Sequence, residues 1–372
     1  MTNIRFLHTS DWQIGMTRWF LSEEAQARFD ASRLAAITRL GEVAREHDCA
    51  FIVVAGDVFD ANSLHPQTMG RALDTLKALP VPVYLLPGNH DPLTADSIFH
   101  RTEALENVHV IADSTPITVA EGVEIVGAPL LSKRAATDLV SQALAPLIPS
   151  GTTRILVGHG QVAARGEFRP DLIDLATVEA ALADGRIAYV ALGDTHSTES
   201  LGSTGAVWFS GSPEVTDFRD HASMSGGENN SGNALVVEVG DALKVTPVKI
   251  GTWTFEALDE ELNSQEDVAA FLSKLRAYPD KSQVAIKYGL QGTLDVGALR
   301  DLETGLEELE QIFASLKPRE RRMELMAVPT EDDLANLDIT GYAREALKEL
   351  MASDDPAADA AVRLMFRLAQ GA

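Results

Sequence analysis

A chain of 372 residues, 45% hydrophobic and 23% charged, has room for two globular domains and a sizeable core, and its composition excludes a disordered or low-complexity polymer. The formal net charge of −24 argues against a protein that grips nucleic acid through a general basic footprint; such a substrate would need bound cations, a local basic strip or a partner. One cysteine, Cys49, precludes an internal disulfide and a thiolate zinc cluster, and with neither a secretory signal nor an apolar run near the roughly 18 residues of a spanning helix the sequence points to a soluble, cytoplasmic protein without membrane contact.

Ile4 to Leu7 opens as a strand and runs into a polar turn, His8-Thr9-Ser10-Asp11-Trp12-Gln13. A loop with aromatic residues, Met16 to Phe20, precedes Ser22, an N-cap with Glu23 and Glu24 behind it, so a long helix is expected from there towards His47. Phe51 to Ala55 is a continuous apolar run of the kind buried on both faces of a sheet, and it ends in Gly56-Asp57-Val58-Phe59-Asp60. A second helix, near Gln67 to Leu79, leads to a strand at Val83 to Leu86 that closes in Pro87-Gly88-Asn89-His90-Asp91. This alternation predicts right-handed crossovers and a layered α/β sheet. Val108 to Ile111 and Val123 to Gly127 read as strands of a second sheet packed on the first. Arg154 to Gly158 is a strand delivering His159, and Ile187 to Leu192 is another, delivering Gly193-Asp194-Thr195-His196. Val207 to Ser212 is followed by a polar loop, Met224 to Asn233, and a closing strand, Ala234 to Val239. Near residue 250 the texture changes. Val284 to Tyr288 alternates as a half-exposed strand, and Leu299, Leu302, Leu306, Leu309, Phe313 and Leu316 recur at helical spacing. The expected organisation is a domain over residues 1–245, a small α+β domain over 246–328 and a helical segment over 329–372.

Five strand-to-loop junctions carry metal-type residues: Asp11 with Gln13, Asp57, Asn89 with His90, His159, and Asp194 with His196. Each alone is more often an ordinary turn or cap than a ligand site. Five in order, each after a β-rich run, point to two divalent cations held by carboxylates, an amide and imidazoles, with Asp57 bridging. Two such cations, about 3.5–4 Å apart, activate water and clamp a phosphoryl oxygen. Asn89, His90 and Asp91 offer on consecutive residues an amide ligand, a proton donor and a carboxylate to orient that donor.

This order resembles the calcineurin-like metallophosphoesterases, whose pattern is D-x-H, G-D, G-N-H-D/E, G-H and G-H-x-H. Within that family it is similar to the SbcD-type DNA-repair nucleases over residues 1 to 240, through Leu7-His8-Thr9-Ser10-Asp11-Trp12, Ala55-Gly56-Asp57-Val58-Phe59-Asp60, Pro87-Gly88-Asn89-His90-Asp91, and Ser210-Gly211-Ser212-Pro213-Glu214 with Asp217-Phe218 behind it. The resemblance implies a four-layer α-β-β-α sandwich of two mixed sheets, a small α+β capping domain and C-terminal helices. It implies Asp11 and His196 on one metal, Asn89 and His159 on the second and Asp57 between them, with His90 assisting the leaving group and Asp91 orienting its ring. Gln13 stands where the family has the histidine of D-x-H, and Asp194 where it has the first histidine of G-H-x-H. Both still present oxygen, which favours Mn²⁺ or Mg²⁺. The implied partners are DNA, a second copy of the chain, and an SbcC-type coiled-coil ATPase docked through the segment 329–372, which otherwise folds back on the capping domain. Trp12, Arg18 and Trp19 are candidate substrate contacts, the aromatic rings by stacking on a base or sugar if they are not simply packed against the next helix. Lys317, Arg319, Arg321 and Arg322 form a dense basic cluster suited to a DNA backbone or to a solvated loop. The expected activity is that of a two-metal-dependent phosphodiesterase acting on DNA as exonuclease or endonuclease. The alternatives are a small-nucleotide phosphodiesterase or phosphatase, for which the acidic surface is less awkward, and a catalytically weak scaffold for the ATPase.

Overall fold

Strand β1 (Ile4–Thr9) forms from the first apolar run, and the chain then alternates helix and strand through α1 (Glu23–Glu46), β2 (Ile52–Val54), α2 (Pro66–Lys77), β3 (Val83–Leu85) and β4 (Val108–Val110). Ser22 caps α1, its side chain accepting from the amide of Ala25, and Glu23 and Glu24 occupy the first turn, where the helix dipole favours negative charge. There follow β5 (Ile117–Ala120), β6 (Val123–Ala128), α3 (Leu139–Leu144), β7 (Thr153–His159), α4 (Leu175–Ala183) and β8 (Tyr189–Gly193). Short strands β9 (Glu199–Leu201), β10 (Val207–Phe209) and β11 (Arg219–Asp220) precede a hairpin of β12 (Asn233–Val239) and β13 (Lys244–Lys249). The structure is a computed structural model and describes residues 3–163, 167, 169–220 and 228–328, with 341–353, 355, 357–358, 361–362 and 364–365 towards the C terminus.

Two six-stranded sheets result, in the orders β13-β12-β1-β2-β3-β4 and β5-β6-β7-β8-β10-β9. In the first, β1 to β4 run parallel and β12 lies antiparallel beside β1. In the second, β6, β7, β8 and β10 run parallel, with β5 and β9 antiparallel at the edges. Val108–Val110, expected in the second sheet, instead extends the first beside β3. A short strand at a sheet edge carries too little pattern to say which sheet it joins.

Period-two alternation sorts the side chains into layers. Phe6, Phe51, Val53 and Leu235 of the first sheet meet Ile125, Ile155, Val157 and Tyr189 of the second in one core between the sheets. Leu7, Ile52, Val54 and Leu85 turn the other way, onto Ile37 and Leu40 of α1 and Leu76 of α2. Val126, Leu156 and Val190 pack on Val140 and Ala143 of α3 and Val178 of α4. The layering is therefore α-β-β-α, the sandwich anticipated from the motifs. Each buried leucine or phenylalanine contributes roughly 1.5–3 kcal/mol over its exposed state, and this two-sided burial holds strands as short as β2 and β3.

The chain divides into two units, Met1–Arg219 with Ser225–Phe255, and Asp220–Met224 with Glu256–Ala372. The second has its own core. β14 (Thr254–Leu262), α5 (Gln265–Arg276), β15 (Val284–Asp295), α6 (Val296–Glu310), β16 (Ser315–Pro318) and β17 (Glu324–Val328) bury Leu258, Phe271, Leu275, Ile286, Leu302 and Leu316, among others. The helical repeat read from Leu299 to Leu316 stops at Glu310. Phe313 lies in the turn and Leu316 on β16, because turn and strand bury against the same core as the helix. Beyond it, α7 (Tyr342–Met351) packs Leu347 with Val362 and Val296. Residues 329–340 and 366–372, and 224–227 of the expected polar loop, lie outside the described residues. Among the described residues no helix is long and apolar enough to cross a membrane.

Candidate metal centre

The parallel strands of the two sheets deliver their loops to one edge, the position at which α/β sheets bind ligands. Asp11 and Gln13 follow β1, Asp57 follows β2, and Asn89 and His90 follow β3, while His159 is the last residue of β7 and Asp194 and His196 follow β8. Six non-glycine residues among those described have positive φ, and four of them are here: Asp11 (53°), Gln13 (43°), Asp57 (52°) and Asp194 (96°). Such backbone costs of order 1–3 kcal/mol per residue. It is held by hydrogen bonds that continue the β1–β2 pairing past the strand ends: Asp11 N to Gly56 O at 3.0 Å, Gln13 N to Asp57 O at 2.9 Å and Ile14 N to Val58 O at 2.9 Å. Gly88 is required by close approach, since a Cβ there would lie 2.1 Å from Asp57 Oδ1 and 2.4 Å from Asp57 N.

Asp11, Asp57 and His159, all buried, each place a ligand atom within 4.8 Å of the others. His159 Nε2 lies 2.7 Å from Asn89 Oδ1, 3.4 Å from Asp57 Oδ1 and 3.6 Å from Asp194 Oδ1. His196 Nε2 lies 3.0 Å from the Gln13 amide and 3.8 Å from Asp11 Oδ1. The Asp194 N–H reaches both Asp11 oxygens at 3.2 Å, and the Gln161 amide donates to the Asp194 carboxylate. The structure thus brings Asp11, Gln13, Asp57, Asn89, His159, Asp194 and His196 into one connected cluster.

Each imidazole is aimed from behind. His159 Nδ1 donates to the Ala55 carbonyl at 2.8 Å, leaving the Nε2 lone pair towards the carboxylates. His196 Nδ1 sits 2.5 Å from Thr216 Oγ1, and Thr216 donates in turn to the Glu228 carboxylate. Glu228 also accepts the amides of Thr216 and Asp217 at 3.0 and 2.9 Å. Acceptors on Nδ1 select the tautomer in which Nε2 is free to bind a metal.

Burial pushes the Asp11 carboxyl up, against the pull of His196 and His159. For Asp57 burial is outweighed by His159, and its carboxyl lies below the ordinary value. Burial would lower both histidines, but Asp57 and Asp11 raise His159 well above the usual range, and Glu228 and Asp11 raise His196. Among the described residues no lysine or arginine pairs with Asp11, Asp57 or Asp194. Buried carboxylates without such partners are costly unless a cation sits among them. The donor set fits divalent ions. Asn89 Oδ1 and His159 Nε2 are both acceptors in this tautomer, and their 2.7 Å separation is near the roughly 3.0 Å between adjacent ligands of an ion with bonds of about 2.1 Å. Gln13 Oε1 is buried without a hydrogen-bond partner.

His90 borders this cluster. Its Nδ1 sits 3.0 Å from the Asp60 carbonyl, its Nε2 3.9 Å from Asp57 Oδ2, and its backbone N–H donates to Asp57 Oδ1 at 2.9 Å. The ring is therefore oriented by Asp60 and not, as expected, by Asp91. The buried Asp91 carboxylate accepts the amides of Phe59 at 2.9 Å and Gly88 at 2.8 Å, tying the loop after β2 to the loop after β3. Burial, with Asp57 nearby, pushes Asp91 up to about 7. Trp12 is not a stacking platform either: it is 1% exposed in the core, and its Nε1 donates to Thr9 Oγ1 at 3.0 Å. Trp19 is exposed and edge-on to Phe20, whose ring packs on Phe218 and Phe255, and Arg18 precedes it in the loop entering α1. Three of the four residues of the basic cluster are paired with acids: Arg319 with Asp220 and Asp259, Arg322 with Asp259, and Lys317 with Glu310. Nothing in the sequence marks Glu228, which stands in a Gly/Asn-rich stretch. Thr216 and Asp60 are signalled only by their nearness to motif residues. A cavity of about 670 Å³ opens beside the cluster, lined by Asn89, His159 and Asp194 together with Lys133, Arg134 and Arg169.

Residues 4–198 match the calcineurin-like phosphoesterase family. The chain is 24% identical to the SbcD component of the SbcCD nuclease of Bacillus subtilis (strain 168), with 88% of this chain and 91% of that one covered. It is 33% identical to the corresponding SbcCD nuclease component of Escherichia coli (strain K12) over 30% of this chain and 27% of that one. It is 30% identical to the DNA double-strand break repair protein Mre11 of Archaeoglobus fulgidus over 29% of this chain and 24% of that one.

Proposed function

The chain belongs to the calcineurin-like phosphoesterase family of metal-dependent hydrolases, and from that premise we propose that it is a two-metal phosphodiesterase that cuts DNA, an exonuclease or endonuclease of the SbcD type. The observation that carries this reading is the convergence of the Asp11, Asp57 and His159 ligand atoms within 4.8 Å of one another. Asp11, Gln13 and His196 would hold one cation, Asn89, His159 and Asp194 the other, with Asp57 between them, and the oxygen-rich set suits Mn²⁺ or Mg²⁺. Bound there, divalent cations supply Lewis-acid activation of water and charge stabilisation at a phosphoryl group.

The other roles belong to side chains of this chain. Asp60 holds His90 Nδ1, so that Nε2 faces the cluster and delivers a proton to the departing oxygen. Asp91 keeps the two loops that carry Asp57 and His90 in register. Residues 1–245 serve as the nuclease part, 246–328 as the cap and 329–372 as the docking segment for an SbcC-type coiled-coil ATPase. The working form is a cytoplasmic homodimer bound to that partner. Arg18 and Trp19 remain the substrate contacts of the first loop.

The net charge of −24 favours a second reading, a phosphodiesterase or phosphatase for a small nucleotide. A Mn²⁺-supplemented assay on linear duplex, single-stranded DNA and a chromogenic diester separates the two. Degradation of DNA is the expected result, and turnover of the diester alone supports the small-substrate reading. No metal-dependent turnover, with no cation retained by mass spectrometry at saturating Mn²⁺, refutes the enzyme and leaves a scaffold for the ATPase.

A further inference from the structure

The cavity beside the metal centre reverses the charge of the chain around it. Lys133 and Arg134, on the loop between β6 and α3, line it. Among the described residues neither has an ion-pair partner, whereas Arg5, Arg39, Arg154 and Arg186 each hold an acid. Arg169 lines the same cavity but is already engaged by Asp171 at 2.5 Å. Lys133 and Arg134 thus place two adjacent positive charges, unpaired among the described residues, on the wall of a cavity that also reaches Asn89 and His159.

Their placement is built into the fold. Leu130 N donates to the Pro87 carbonyl at 3.1 Å, and Leu93 N donates to the Leu130 carbonyl at 2.9 Å. The base of the Lys133 loop is thereby tied on both sides of Asn89 and His90, the residues nearest the reacting bond in the reading above. Within the loop, Ser132 Oγ donates to the Arg134 carbonyl at 2.8 Å. The volume, about 670 Å³, lies in the range of cavities that take nucleotide-sized ligands and exceeds what one phosphoryl group requires.

We propose that Lys133 and Arg134 form an anion subsite for the phosphate next to the scissile one in a nucleic-acid strand. The subsite makes a polynucleotide, rather than a mononucleotide, the preferred substrate of the same centre, and the inference rests on the phosphodiesterase reading. Phosphate contacts of this kind set the register of a strand without reading its sequence.

The test is fluorescence anisotropy of a labelled single-stranded oligonucleotide with the full chain, Ca²⁺ replacing Mn²⁺, over a range of NaCl. The variants are Lys133→Glu with Arg134→Glu, and Arg71→Glu with Lys77→Glu on α2 as a charge-matched control. The double variant is expected to bind about tenfold more weakly or worse at low salt, with the slope of log K against log salt falling by roughly 0.7 for each phosphate no longer neutralised. The control should stay within about twofold. A double variant with the wild-type Kd and slope overturns the proposal. So does an equal fall in its turnover of a chromogenic diester, which would mean that the substitutions damage the metal centre and not a strand subsite. Wild-type protein that hydrolyses the diester but binds no oligonucleotide refutes the DNA reading itself, and the subsite with it.

Discussion

Glu228 touches no residue assigned to substrate, yet the geometry makes it responsible for one half of the metal centre. Its carboxylate takes the Thr216 hydroxyl and the amides of Thr216 and Asp217, and the Thr216 oxygen in turn holds His196 Nδ1. Burial alone would raise Glu228, but the hydrogen bonds and charge of His196, with help from Ser231 and Thr216, keep it below the ordinary carboxylate range. Glu228→Gln removes the charge and turns an N–H₂ group towards donors. Each charge-assisted hydrogen bond so weakened contributes about 1.5–3 kcal/mol, so the 216–217 turn loosens and the Thr216 hydroxyl is released. Losing the partner that orients a metal-binding imidazole costs about 10–100-fold in metal affinity, roughly 1.4–2.7 kcal/mol. His159 keeps its Ala55 carbonyl and should not respond. Mn²⁺ titration calorimetry of the Glu228→Gln protein is therefore expected to show one binding event weakened by that factor and the other unchanged. Thr216→Val should behave alike, and Thr216→Ser, which keeps the hydroxyl, should restore the affinity. Two unchanged events would show that Glu228 does not orient His196; an equal loss in both would show a general disturbance of the fold. Either result refutes the reasoning.

Gly88→Ala drives a methyl group into the Asp57 carboxylate and backbone, and is expected to weaken binding of both Mn²⁺ ions and lower stability by about 2–4 kcal/mol in urea unfolding; unaltered Mn²⁺ binding would contradict the geometry. His90→Asn should lower kcat on DNA by about 10²–10⁴-fold while both cations remain bound, and loss of metal with activity would make His90 a ligand instead. His8 is buried, with its Nδ1 3.0 Å from the Tyr189 hydroxyl and its Nε2 3.2 Å from the Leu192 carbonyl, and burial pulls it down to about 3. Unfolded, it titrates near 6.5, so its contribution is complete above about pH 6.5 and is lost as the pH falls towards 3, by roughly 3 kcal/mol at pH 4. The stability of His8→Gln should be correspondingly flatter over that window, and equal slopes would refute the assignment. Asp194→His removes one negative charge from the cluster; weaker Mn²⁺ binding and an acid limb of the pH–rate profile moved down by about one unit are expected, and an unmoved limb would place Asp194 outside the metals' field.

How much of this was legible depended on whether the information is local. The residues that cluster were readable because each sits at the end of a strand whose apolar run announces it, and parallel strands deliver their ends to one edge. The helix cap at Ser22 and the layering followed from the same local rules. The partners of those residues were not readable. Asp91 is next in sequence to His90, yet its carboxylate points at Phe59 and Gly88, because the turn that exposes the ring buries its neighbour. Trp12 lies beside Asp11 and faces the opposite way, into the core, since consecutive residues leaving a strand diverge. Glu228 reaches His196 across a gap in sequence that no periodicity spans. Leu316 continued a helical repeat although it lies on a strand, because burial imposes spacing without fixing the element.

Net charge says little about the site for a related reason. With a screening length of about 8 Å at physiological ionic strength, most of the 55 acidic residues have little influence inside the cavity. The local balance decides what an approaching phosphate meets. Asp11, Asp57 and Asp194 bring three carboxylates to the cluster, and their pull, with that of Glu228, raises His159 and His196 above the ordinary imidazole value. Two divalent cations would outweigh those carboxylates by one positive charge, before Lys133 and Arg134 are counted. Divalent cations would therefore add to the attraction that Lys133 and Arg134 already offer a phosphodiester in this cavity. Under the phosphodiesterase reading, metal loading and substrate binding are thus coupled through charge, and the local balance, not the net charge of −24, sets what the site attracts.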